Sequence, residues 1–122
     1  MSTDLAYVAA AVVATWGLVH MIPTRRVVAS FGAISADSRW IITQEWLAEG
    51  FAMWGIAAFV IAATASGSGD IRLWVYRVAA ALLVAVGVLT AVTGARTPSV
   101  WFKVCLVVMA AGASLLLAAS LV

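Results

Sequence analysis

The chain has 122 residues, of which 66% are hydrophobic and 10% charged, with a net charge of +2. A soluble domain carries roughly 25% charged residues and disordered chains are poor in apolar ones, so the composition excludes both classes. The seven Lys and Arg are scattered rather than patched, which argues against a nucleic-acid partner, and the single cysteine, Cys105, excludes an internal disulfide and is too few for a zinc site.

A membrane-spanning helix needs about 20 predominantly apolar residues, and four segments qualify. The first, about 4–22, reads "DLAYVAAAVVATWGLVHMI" and is stopped by Pro23. It has Asp4 and no Lys or Arg before Arg25, so it reads as a span rather than a signal peptide. The connection from Pro23 to Asp37, "PTRRVVASFGAISAD", is long and half apolar, with Val27, Val28, Phe31 and Ile34. It is expected to fold back over the mouth of the helices.

The second segment, about 38–65, contains "WIITQEWLAEGFAMWGIAAFVIAATA", with Asp37 as its expected N-cap. "ASGSGD" follows, and Asp70 is the expected cap of the third segment, about 71–93. "GARTP" then leads through Thr97, a cap, and Pro98 into the fourth, about 98–121. The two short connections predict antiparallel neighbours. The expected fold is therefore all-α: one domain, an integral membrane four-helix bundle running up-down-up-down.

Orientation follows from basic residues near the ends of the spans. The first and third loops with their flanks carry Arg25, Arg26, Arg39, Arg96 and Lys103, against Arg72 and Arg77 on the other side. This predicts cytoplasmic first and third loops, with both termini outside.

"TQEWLAEG" places Glu45 and Glu49 four residues apart inside the second span, so they share one helix face. Counted from Ser38, they lie roughly 10 and 16 Å deep. A carboxylate at the bilayer centre costs about 3 kcal/mol even on the mildest scale, so both are expected to face the interior or to be paired. Two neighbouring carboxylates in a low dielectric cannot both ionise cheaply, which leaves one to donate a proton and one to accept it. His20, near the end of the first span, is the third candidate catalytic group, able to act as a base or to orient Glu45.

Candidate substrate-binding residues surround these by depth. They are Trp16, Trp46, Trp54 and Met53, with Phe31 from the first loop, Thr90 from the third span, and Arg77 and Lys103 as reaching cations. A salt bridge from a glutamate to Arg77 or Lys103 would serve structure alone, and packing alone would account for the tryptophans. Trp40, Trp74 and Trp101 sit at span ends and read as interfacial anchors. Cys105 reads as a small buried hydrophobe. No metal is expected, because the four-helix di-iron pattern needs two Glu-x-x-His motifs and none is present.

"GLVHMI" closing the first span, the aromatic loop "SFG" and "AEGFAMWGI" in the second give the chain a resemblance to the DoxX-like group of small bacterial four-helix membrane proteins. Length and helix number agree along the whole chain. The resemblance implies a four-helix bundle in a bacterial plasma membrane, associated with redox partners or small lipophilic substrates. Glu45 is a departure from it. The site chemistry is also similar to that of membrane sterol isomerases of the emopamil-binding type, which use His and Glu within a tryptophan-lined bundle.

The leading expectation is a cofactor-independent acid–base enzyme acting on a lipophilic small molecule by isomerisation, cyclisation or epoxide opening. An accessory or binding subunit of a membrane complex is the alternative. A small proton-coupled exporter ranks third, since such exporters carry their glutamate within helix one, whose interior here holds no acid. Membrane lipid is an expected partner, and pairing with a second copy stays open for so small a bundle.

Overall fold

The computed structural model describes residues 2–122. Five helices follow one another: α1 (Ser2–Met21), α2 (Thr24–Ser30), α3 (Ala36–Ala65), α4 (Gly69–Val92) and α5 (Val100–Leu121), with a 3-10 turn at Gly94–Arg96. No strand occurs among the described residues. Four of the helices are long and apolar enough to cross a membrane, at positions matching the four expected segments to within a turn.

The helix starts fall two residues before those expected for α3 and α4, and the caps move with them. Ser35 caps α3, its hydroxyl accepting from the Ser38 N–H at 3.1 Å, while Asp37 lies in the first turn. Ser68 caps α4 in the same way, accepting from Ile71 N–H, while Asp70 lies in the first turn. Both aspartates there complement the positive end of the helix dipole. Thr97 caps nothing at its amine side; its hydroxyl donates back to the Gly94 carbonyl at 2.7 Å, and α5 starts after Ser99.

The first connection is not a plain loop. Between Pro23 and Gly32 it forms α2, which packs on α3 and buries Val28 but leaves Phe31 55% exposed. Gly32 ends it with φ +72°, a left-handed conformation that costs glycine little. The Arg39 guanidinium ties the turn down by donating to the Gly32 carbonyl at 3.1 Å.

In the packing, α1 lies between α3 and α5, α4 lies on α5, and α3 meets α4 more lightly. Partner residues run in opposite senses along each pair. His20 meets Trp46 and Ala14 meets Trp54 between α1 and α3, while Leu83 meets Gly112 and Gly87 meets Met109 between α4 and α5. At the far end of α3 the Thr64 hydroxyl donates to the Val60 carbonyl, so the Tyr76 hydroxyl donates to Thr64 Oγ1, at 2.7 Å. The core is built from small residues (Ala6, Ala9, Ala10, Ala79, Ala80, Ala113) around Val13, Met53, Leu83, Met109 and Leu116. Small residues permit close helix approach where lipid removes the hydrophobic drive between helices. Large apolar side chains such as Phe59, Trp74 and Val107 point outward, as a lipid-facing surface requires.

α1 and α3 approach closely at Gly17 and Gly50. A Cβ on Gly17 would stand 3.0 Å from the Gly50 carbonyl and 3.1 Å from Met53 Cβ; one on Gly50 would stand 3.1 Å from the Gly17 carbonyl. A side chain at either position would press on the facing backbone, so the two helices pass each other there with room for hydrogen alone. Gly55, on the same helix, has open space around it. Gly17→Val should therefore destabilise the protein in detergent by about 1–3 kcal/mol through overpacking. Gly55→Ala should be neutral, or stabilising by up to about 1 kcal/mol. Thermal unfolding followed by circular dichroism checks both, and equal effects at the two positions would contradict the close approach.

Candidate functional site

α3 has 30 residues, about 45 Å at 1.5 Å per residue, against a hydrocarbon core of about 30 Å. His20, in the last turn of α1, meets Trp46, so the turns of α3 before Trp46 overhang the end of α1. The overhang lies beside α2, and the carboxyl end of α1 meets α3 between Trp46 and Gly50, through His20 and Met21. Glu45 sits at the rim of the bundle and Glu49 about one turn, some 6 Å, inside it.

At that rim three groups from two helices converge. The His20 ring, on the last turn of α1, is buried and stacks on the Trp46 indole with centroids 4.2 Å apart and planes 15° from parallel. The Trp46 Nε1–H donates to the His20 carbonyl at 2.8 Å. That carbonyl is among the last of α1, which have no partner within their own helix, so Trp46 caps α1 from outside. In return His20 Nε2 meets the Trp46 carbonyl at 3.1 Å. A carbonyl only accepts, so Nε2 carries a proton, and Nδ1 is the atom at which the ring gains or loses one.

Glu49 completes the group. Its Oε2 lies 3.6 Å from the same Nε2, with the carboxylate side chain 37% exposed and the imidazole 7%. A buried imidazole thus faces a half-open carboxylate: one partner held by protein, the other reachable from the mouth. With Nδ1 protonated as well, the pair is ionic and charge-assisted. The arrangement can store a proton near the rim and present a carboxylate to a guest.

The remaining candidates divide sharply. Trp16, one turn deeper on α1, Met53 on α3 and Thr90 on α4 are buried below the pair, where the Cys105 thiol lies close to both Trp16 and Thr90. Phe102 of α5 sets its ring edge-on to Trp46 at 6.4 Å and packs against Gly94. Trp54 is 40% exposed and fastens α3 to α1 by donating to the Ala14 carbonyl at 3.0 Å. Glu45, Arg77, Lys103 and Phe31 are exposed and are not brought to the cluster. Among the described residues the carboxylate partner of Glu49 is His20, and neither Arg77 nor Lys103 forms an ion pair. No three His, Cys, Asp or Glu among the described residues are grouped so as to hold a metal ion.

Depth reasoning missed Phe102 and the capping role of Trp46. The available signal was glycine: Gly17 stands three residues before His20, and Gly50 directly follows Glu49. A separate apolar groove of about 340 Å³ lies between α3 and α4, lined by Ile56, Phe59, Trp74, Val75, Val78, Ala79 and Leu82. Ile56 is seven residues beyond Glu49, about 10 Å further along the helix, so the groove is distinct from the cluster.

Trp46→Phe keeps a stacking ring but leaves the His20 carbonyl without its donor. It should cost about 1–3 kcal/mol of stability, whereas Trp101→Phe, at a 62% exposed position, should stay within about 0.5 kcal/mol. Denaturant unfolding in micelles measures both; equal losses would contradict the cap. The chain matches no family model, no curated protein and no solved structure.

Proposed function

We propose that the chain is an integral membrane protein whose four long helices cross the bilayer in alternating directions, with the His20 end cytoplasmic. At that end a His20–Glu49 pair carries out acid–base chemistry on a lipophilic small molecule. Arg25, Arg26, Arg39, Arg96 and Lys103 at that end support the orientation. The reading carries forward the DoxX-like resemblance as a proposal and narrows the acid–base group from two glutamates to one glutamate and a histidine.

The observation that carries it is the 3.6 Å approach of a half-exposed carboxylate to a buried imidazole within an apolar helical assembly. Ionisable groups in such a place are costly and are retained for function more often than for packing. Glu49 is the group that exchanges a proton with the guest. His20, held by Trp46, positions the carboxylate and balances its charge. Isomerisation and cyclisation need a proton given and a proton taken back, which one carboxyl group can supply in turn, and epoxide opening needs the proton and a water nucleophile; none needs a cofactor.

One observation favours the accessory-subunit reading. The His20–Trp46 stack and its two reciprocal hydrogen bonds also serve as a latch between helices, in which Glu49 would be a structural counter-ion.

Native mass spectrometry of protein released from its own membrane separates the two readings. Wild type should carry a discrete small lipophile that is lost or altered in Glu49→Gln and unchanged in Glu45→Gln. A chain that arrives with a protein partner, indifferent to Glu49→Gln, would overturn the acid–base reading.

A further inference from the structure

The Trp16 indole is 8% exposed, and its Nε1–H meets no acceptor among the described residues. A buried donor left unpaired costs about 1–3 kcal/mol, and such groups in native structures point to a missing partner. The surroundings define that partner. The Cys105 thiol, 4% exposed, lies near both the Trp16 nitrogen and the Thr90 hydroxyl, within electrostatic reach of Glu49. Thr90 is 8% exposed and commits its hydrogen to the Val86 carbonyl at 2.9 Å. Its oxygen is therefore free only to accept.

The surroundings thus offer one strong donor, from α1, and one acceptor, from α4, while the thiol from α5 close to both is a weak donor and a weak acceptor that leaves the indole N–H without a strong partner. A carbonyl oxygen would answer Trp16 but set its lone pairs against those of Thr90. An ammonium group would answer Thr90 and oppose the indole N–H. A group that both accepts and donates answers both.

We propose that Trp16 Nε1–H and Thr90 Oγ1 form a receptor for a hydroxyl group one helical turn below the His20–Glu49 pair. The hydroxyl comes either from a buried water, for which two to four polar partners suffice, or from a lipophilic alcohol. The second source rests on the proposed acid–base function and names its substrate class: an alcohol whose oxygen is held beneath Glu49.

The test uses the full chain in lipid nanodiscs with 15N-labelled tryptophan indoles, the Trp16 resonance being assigned from Trp16→Phe. The probes are 1-decanol and decane, and the second variant is Thr90→Val, nearly isosteric and expected to fold. With an alcohol guest, 1-decanol shifts the Trp16 N–H resonance saturably, decane does not, and Thr90→Val weakens the response about fivefold, the loss of one neutral hydrogen bond. With a water guest, the same N–H shows a cross-peak to a slowly exchanging water that Thr90→Val removes. An N–H with no water contact that decanol does not move, or a response unchanged in Thr90→Val, overturns the receptor. If it is overturned while Glu49→Gln still alters the co-purified lipophile, the acid–base reading stands without it.

Discussion

The backbone contact between α1 and α3 at Gly17 and Gly50 is the constraint on which the rest depends. Two facing glycines let the helices pass so closely that a Cβ on either would stand about 3 Å from the carbonyl of the other. One turn beyond that crossing, His20 lands flat on Trp46, and each ring reaches the backbone of the opposite residue. Trp54 repeats the device on the other side of the crossing, with its indole on the Ala14 carbonyl. A methyl group at either glycine would push the imidazole away from Glu49. The geometry at the rim is thus set by two residues with no side chain.

The same contact explains how a carboxylate is tolerated there. Burying an unpaired charge in hydrocarbon is costly, and the structure lowers that cost twice. Glu49 sits about a turn inside the rim of the bundle with its side chain 37% exposed, and it faces an imidazole whose position is fixed by a stack and a hydrogen bond. Below it the environment changes from half-open to closed, with Trp16, Thr90, Met53 and Cys105 buried. A guest of mixed character would meet a carboxylate first and polar hydrogen-bonding groups next, with apolar side chains around them.

Much of the fold was legible because its signal is long and redundant. Each span is some twenty or more predominantly apolar residues long, so a shifted cap at Ser35 or Ser68 moved a helix start by two residues without changing the element. The first connection was less legible: seven residues of α2, "TRRVVAS", are too few to show periodicity, and their helix is held by packing on α3. At the site, the residue types were readable and the partners were not. Glu45 and Glu49 share a helix face in sequence, but a face about 100° wide holds both a rim position and an inward one. Which of them turns inward depends on where α1 crosses. Position along α3 was hard to read for a related reason: α3, with 30 residues, is longer than α1, with 20, and nothing in its own sequence says which end extends past its neighbour.

The central claim is that the His20 ring is fixed with a protonated Nε2 lying between the Trp46 carbonyl and the Glu49 carboxylate. His20 is the only histidine of the chain, so 15N NMR of a histidine-labelled sample reports one ring. At a pH where the ring is neutral, the spectrum should show the Nε2–H tautomer, with an Nε2 resonance that moves in Glu49→Gln and stays in place in Glu45→Gln. An Nδ1–H tautomer, or a ring indifferent to Glu49, would contradict the account.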